Sequence, residues 1–212
     1  MDKTGVLIVD GQMIAIQLFE TIIRASDRYT LVRSLTDPEM AYYRCAQEDV
    51  DLILMDVFTE LGAAGLDAAA RIKQDFPQIR IVILTSVPEV SYIRRAKAAG
   101  ADSFWYKENQ AEPILSVMDR TMKGESVYPA QTPEVRLGNV SSYQLTEREL
   151  EVLRELIMGH TNEQIGRSLG ISVETVRNHV ANMFNKTGFS TRTELAVRAR
   201  ETGLVIPGPD KK

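Results

Sequence analysis

Cysteine is nearly absent from this chain of 212 residues, and histidine is almost as scarce. Cys45 is the single thiol, so no intrachain disulfide can form and no multi-thiolate metal site is available. His160 and His179 stand far apart without carboxylates at ligand spacing, which argues against zinc. An apolar run of membrane-spanning length is also missing. The start, Met1-Asp2-Lys3-Thr4, lacks the basic-then-apolar layout of a signal peptide. The expectation is a cytoplasmic protein with no membrane partner. Positive charge is not in surplus either, the formal net charge being −4. Phosphate contacts are local, however, so the distribution of charge decides more than its sum.

What is present is an ordinary globular composition, 44% hydrophobic and 25% charged, in a chain long enough for two small domains. From Val6 to Met122 short apolar runs alternate with stretches of helical length. The runs are Val6 to Val9, Tyr29 to Val32, Leu52 to Met55, Ile81 to Leu84 and Ser103 to Tyr106. The intervening stretches are Gln12 to Ala25, Pro38 to Ala46, Leu66 to Phe76 and Val90 to Ala99, with a last one from Ala111 to Met122. The runs starting at Val6, Leu52 and Ile81 show no polar alternation, as strands of a parallel sheet covered on both faces do. Five βα units predict an α/β, doubly wound, five-stranded parallel sheet over residues 1–123.

In such a sheet, function gathers at the carboxyl ends of the strands. Those ends hold Asp10, Asp56, Thr85 and Lys107. A carboxylate such as Asp56 can attack phosphorus if cations offset the incoming charge. Lys107 supplies one cation, Thr85 a hydroxyl for a phosphoryl oxygen, and Asp10 a ligand for Mg²⁺. Any one of them is equally a polar cap at a strand end; four on one edge favour a site.

Residues 124–143 hold Pro129, Pro133, Gly138 and Asn139 without clear periodicity and read as a linker. Residues 144–205 read as an all-α four-helix domain, and 206–212 as a disordered tail. Thr146 with Glu149 makes a capping box, followed by the apolar face of Leu150, Val152, Leu153, Leu156 and Ile157 and by Gly159 as a stop. Thr161 with Gln164 opens a second helix that runs to Leu169. Gly170-Ile171-Ser172 is a tight turn into a third helix, from Val173 to about Thr187, which places Val176, Val180 and Met183 on one face and Arg177, Asn178 and Ala181 on the other. Thr191 with Glu194 starts a fourth helix, whose small Ala196 and Ala199 are a candidate contact between two copies. Two short helices joined by a glycine-containing turn, the second presenting Arg and Asn, is the helix-turn-helix layout. Periodicity alone fits equally a small helical bundle whose polar face is only solvated. Basic residues do gather from Ile165 to Arg200, where Arg167, Arg177, Lys186, Arg192, Arg198 and Arg200 meet only Glu174 and Glu194.

Leu145-Thr146-Glu147-Arg148-Glu149-Leu150, Thr161-Asn162-Glu163-Gln164-Ile165, Leu169-Gly170-Ile171-Ser172 and Thr175-Val176-Arg177-Asn178-His179 closely resemble the LuxR-type DNA-binding domain. That resemblance implies a third helix in the major groove, with base-edge contacts from Arg177 and Asn178. It implies backbone contacts from Thr161, Asn162, Thr175, Lys186 and Arg192. Upstream, Val6-Leu7-Ile8-Val9-Asp10, Leu54-Met55-Asp56, Ile83-Leu84-Thr85-Ser86 and Ala98-Ala99-Gly100-Ala101, followed by Lys107, resemble the receiver domain of bacterial response regulators. The whole chain is similar to the NarL/FixJ class.

The class resemblance implies sheet order 2-1-3-4-5 and a transcriptional regulator that is not an enzyme. It implies phosphorylation of Asp56 by a sensor histidine kinase, with Thr85 and Phe104 shifting together to change a dimerisation surface. Double-stranded DNA, the kinase, RNA polymerase and a second copy of the chain are the implied partners. Mg²⁺ held by Asp10 and Asp56 is the implied cofactor. The departures bear on that pocket. Gly11 stands where the class has a second acid, so the metal site is expected to be weak. The loop from Thr59 to Gly65 lacks the usual proline and is one residue longer, and Phe58 is bulky where hydrolytic water would approach. In the helical domain Thr187 replaces a usual leucine, a packing change, and Ala181 replaces a longer polar side chain.

Three alternatives follow. One is a pseudo-receiver transcription factor regulated without phosphorylation, by dimerisation, a ligand or a partner. Another is an aspartyl-phosphate phosphatase of the haloacid dehalogenase type, which needs an acid two residues after Asp56, where Phe58 stands. The last is a helical protein-interaction module that does not touch DNA.

Overall fold

The computed structural model describes residues 3–59, 64–89, 91–108 and 112–205. The chain divides into two compact units, one of Met1–Ser86 and Tyr92–Gln131, the other of Val87–Ser91 and Thr132–Gly208. The tail expected at 206–212, most of the loop after Thr59, and the helix-start positions Val90 and Ala111 lie outside the described residues.

In the first unit strands β1 (Thr4–Val9), β2 (Tyr29–Leu35), β3 (Leu52–Asp56), β4 (Arg80–Thr85) and β5 (Ser103–Tyr106) alternate with helices α1 (Met13–Arg24), α2 (Pro38–Cys45), α3 (Gly65–Asp75), α4 (Ser91–Ala98) and α5 (Ile114–Met122). All pairings are parallel, in the order β2-β1-β3-β4-β5. The runs without polar alternation are the three central strands, and Val6 to Val9, Leu52 to Met55 and Ile81 to Leu84 are fully buried. Ile16, Phe19 and Ile23 of α1 pack with Val117 and Met118 of α5 on Val6, Ile8, Leu54, Val82 and Leu84. The alternate residues Leu7, Ile53, Met55, Ile81 and Ile83 point to the opposite face. Strand β5 is an edge, yet it is buried throughout. The chain after α5 returns along it: the Phe104 N–H donates to the Val127 carbonyl at 2.8 Å, and the Val127 N–H to Ser103 Oγ at 3.1 Å. An otherwise open edge is thereby closed.

The second unit holds strands β6 (Arg136–Leu137) and β7 (Val140–Ser141), a 3₁₀ turn over Ser142–Gln144, and helices α6 (Glu147–Ile157), α7 (Asn162–Leu169), α8 (Val173–Thr187) and α9 (Arg192–Glu201). Residues 124–143 are therefore not a featureless linker. β6 and β7 form an antiparallel hairpin, and Leu137 and Val140 join Leu150, Leu153, Val176, Met183 and Leu195 in one core. Gly138 takes φ 60° at the hairpin turn, and a Cβ there would collide with the Thr187 carbonyl oxygen. That oxygen accepts the Asn139 N–H at 2.9 Å, which ties the hairpin to the end of α8. Ala199 is buried in this same core, so it is not available to a second copy as the sequence had led us to expect. Among the described residues no helix is long and apolar enough to cross a membrane.

Candidate functional site

Parallel strands deliver their carboxyl ends to one edge, and the sequence puts an acid after β1, an acid at the end of β3 and a lysine after β5. Lys107 Nζ lies 2.6 Å from Asp10 Oδ2 and 2.8 Å from Asp56 Oδ2. Its backbone N–H donates to the Thr85 carbonyl at 2.9 Å, which fixes where the lysine leaves the sheet. Asp10 Oδ1 accepts the Gln12 N–H at 2.9 Å, and Asp56 Oδ1 accepts the Phe58 N–H at 3.2 Å. Asp10, Asp56 and Thr85 are all buried. Burial pushes the Asp56 carboxyl up to about 7; Lys107 pulls it down and Asp10 pushes it further up. Two carboxylates thus share one ammonium.

The structure brings Asp10, Asp56 and Lys107 together as the strand ends foretold. Phe104 is not in that cluster. It is buried on β5, edge-on to Tyr106 at 5.0 Å and stacked on Tyr128 at 6.3 Å, and the Tyr128 hydroxyl donates to the Ala101 carbonyl at 2.7 Å. Two positions were not singled out from sequence. Gly65 opens α3 against the Asp56 backbone, where a Cβ would strike the Asp56 carbonyl oxygen, so a bare Cα there sets how closely the helix meets the acid. Tyr92 of α4 takes the Phe58 ring edge-on at 5.8 Å. Nothing in local periodicity marks either contact.

The pocket was tested for Mg²⁺, the ion implied by the receiver resemblance. Gly11 offers no ligand, and no group of three or more His, Cys, Asp or Glu able to hold a metal occurs among the described residues. Asp10 Oδ2 and Asp56 Oδ2 both already face an ammonium. The residues present do not fit a tightly held divalent ion.

In the helical unit each start signal read from the sequence forms. Thr146 Oγ1 accepts the Glu149 N–H at 3.2 Å while Glu149 Oε2 accepts the Thr146 N–H at 2.7 Å. Thr161 and Gln164 reciprocate in the same way on α7. Gly170 ends α7 at φ 65°, and Ser172 Oγ accepts the Thr175 N–H at 3.0 Å to start α8. On α8 Val176, Val180 and Met183 are buried, while Glu174, Arg177, Asn178, Ala181 and Asn182 are exposed. Arg177 lies 3.2 Å from Glu174, but both side chains are more than half exposed, so the pair holds the guanidinium only loosely.

Lys186 and Arg192, expected from the resemblance to contact the DNA backbone, also make bonds within the domain. Lys186 Nζ donates to Glu149 Oε2 at 2.7 Å and to the Gln144 carbonyl at 2.9 Å. Arg192 donates to Asn162 Oδ1 at 2.8 Å and to the His160 carbonyl. Both therefore brace helices against one another. Burial alone would raise the Glu149 carboxyl, but Lys186 and Thr146 together hold it below the usual carboxylate range. Thr187 is buried, its hydroxyl donating to the Met183 carbonyl at 2.7 Å and accepting the Phe189 N–H at 3.3 Å. The exchange of leucine for threonine there is a packing change with its polar atom satisfied.

Residues 6–119 match the response regulator receiver domain, and residues 143–199 match the bacterial regulatory proteins of the luxR family. Over 202 residues the chain is 32% identical to the response regulator protein VraR of Staphylococcus aureus (strain Mu3 / ATCC 700698), across 92% of this chain and 95% of VraR. A solved structure of two RcsB dimers bound to two parallel DNAs is similar with a TM-score of 0.60 and 17% identity, over 94% of this chain and 98% of that one. The RcsB response regulator of Salmonella typhimurium, in a structure addressing its conformational dynamism for DNA interaction, gives a TM-score of 0.55 at 17% identity, over 94% and 99%. At such identity the structural likeness speaks for the fold. The receiver match spans more than half of the sequence and VraR aligns with nearly all of it. The chain belongs to the bacterial response regulators of the NarL/FixJ class, a receiver domain followed by a LuxR-type DNA-binding domain.

Proposed function

We propose that α8 reads double-stranded DNA through Arg177 and Asn178, and that two copies of the chain do so on successive half-sites. One observation carries this reading: the two side chains stand exposed and adjacent on the second helix of the helix-turn-helix, opposite its buried Val176, Val180 and Met183. Arg pairs bidentately with guanine and Asn with adenine. Thr161, Asn162 and Thr175 lie at the capped N-termini of α7 and α8, where backbone N–H groups favour a phosphate. Lys186 and Arg192 serve this surface by holding the helices that present it. The small basic surplus makes affinity depend on pairing two recognition helices. RNA polymerase is the partner such a regulator acts on.

The test begins with duplexes selected from a random pool by the full chain. Arg177→Ala is expected to lose about tenfold or more in affinity for the selected duplex and to relax base preference at one position. Unchanged affinity and preference would overturn the reading, and one chain per duplex would overturn the pairing.

Control is assigned to Asp56, as acceptor of a phosphoryl group from a sensor histidine kinase. Lys107 and the Thr85 hydroxyl are placed in this reading to meet the transferred oxygens. Incubation with a small phosphodonor is expected to add the mass of one phosphoryl group, and Asp56→Asn to abolish the gain; no gain in the wild type sinks this control. A second reading, a pseudo-receiver working without phosphorylation, is favoured by Gly11 and by the Lys107 bridge. It requires that Asp56→Asn keep full DNA binding and an unchanged oligomeric state.

A further inference from the structure

Asp10 and Asp56 end neighbouring strands, and every oxygen of the two carboxylates has a donor from this chain. Gln12 and Phe58 supply backbone N–H groups to the Oδ1 atoms, and Lys107 supplies its ammonium to both Oδ2 atoms. The two oxygens that could jointly grip a metal ion are the two that grip Lys107. A divalent ion entering there would approach an ammonium, and Mg²⁺ tolerates little departure from its octahedral oxygen set. The side chain that would add a further ligand is missing at Gly11. The mismatch with Mg²⁺ therefore has two separable causes, a lost donor and a resident cation.

We infer that Lys107 is the pocket's own counter-cation, holding the acids together where a divalent ion would otherwise do so. The receiver then keeps its shape without Mg²⁺, and takes the ion only when an acid is restored at position 11 or the ammonium is removed. This rests on membership of the receiver family, not on phosphorylation of Asp56. It is also independent of DNA reading by Arg177, so either can fail without the other.

The experiment titrates MgCl₂ into the full-length wild type, Gly11→Asp and Lys107→Met by calorimetry, with melting temperature followed in parallel. Gly11 does not have the positive φ that would bar a side chain. Gly11→Asp is expected to bind Mg²⁺ at least about tenfold more tightly than the wild type, whose melting temperature does not respond to the ion. Lys107→Met is expected to bind more tightly than the wild type as well, because two acids are left without their cation. Lys107→Gln gives the same reading with a polar side chain if the methionine variant does not fold. Wild-type binding within about tenfold of Gly11→Asp would overturn the inference. So would a Lys107 variant that binds no better than the wild type.

Discussion

In the LuxR-type domain Glu149 meets Lys186 one to one, whereas in the receiver Asp10 and Asp56 divide Lys107 between them. Glu149 also accepts the Thr146 N–H at 2.7 Å, and Asp56 accepts the Phe58 N–H at a longer 3.2 Å in addition to its share of the lysine. Both carboxylates are about equally hidden from solvent, 3% exposed in each case. Burial raises both, but at Asp56 the neighbouring Asp10 adds to it, while at Glu149 Lys186 and Thr146 outweigh it. The Glu149 carboxyl is held below its usual range and the Asp56 carboxyl is pushed above it. A buried acid whose partners outweigh burial latches α6 to α8. A buried acid that shares its cation with a second acid is poised, because cancelling its charge releases free energy.

The comparison breaks first at Lys186. Lys186→Met leaves Glu149 buried without its cation, and removing one partner of a buried pair costs about 3–5 kcal/mol. Lys186 is a third exposed, so the expected loss for the helical domain is about 2 kcal/mol after screening. Two domains need not unfold together, so the readout is hydrogen exchange of α6 and α8 amides. A loss below about 0.5 kcal/mol would make the pair an ordinary surface contact, and Glu149 no different in kind from its exposed neighbours.

The opposite sign is expected in the receiver. Asp56→Asn removes a charge that half an ammonium does not cover and returns Lys107 to Asp10 alone. The receiver should gain about 1 kcal/mol at pH 8, read from exchange of the β1, β3 and β4 amides. A net loss would show that Lys107 satisfies both acids, and the contrast between the domains would vanish.

These two sites were not equally legible in the sequence. Asp10, Asp56 and Lys107 could be found because strand ends are local and parallel strands share an edge, so three short motifs fixed one pocket. The Glu149 and Lys186 pair joins residues 37 apart that meet only once α6 packs on α8. Sequence showed a capping acid and a basic residue, and the resemblance implied a phosphate contact for the lysine while its bond to Glu149 stayed invisible. The bonds of Arg192 to Asn162 and the His160 carbonyl, some thirty residues away, were hidden for the same reason. The exposed Arg177 and Asn178 were readable from the 3.6-residue period of α8, which buries Val176, Val180 and Met183. The hairpin at Arg136–Leu137 and Val140–Ser141 was not, because two-residue strands carry no alternation. Gly65 looked like a loop residue, and its role rests on how near the Asp56 carbonyl comes.

One further effect separates the domains without any mutation. The folded Asp56 value, about 7, lies above its ordinary 3.8. The unfolded chain therefore gives up this proton first on raising the pH. Stability from this group is complete below about 4 and is lost as pH climbs through 7. For Glu149 the folded value lies below its ordinary 4.5, so its contribution is present above that pH and is lost as pH falls through the folded value. Between pH 7 and 4 the receiver should gain protection while the helical domain holds steady, and below that range the helical domain should lose it. The Asp56→Asn receiver should lack the first slope, so its advantage over the wild type narrows toward pH 4. Parallel slopes in the two domains would mean that the two acids are compensated alike, whatever their different partners.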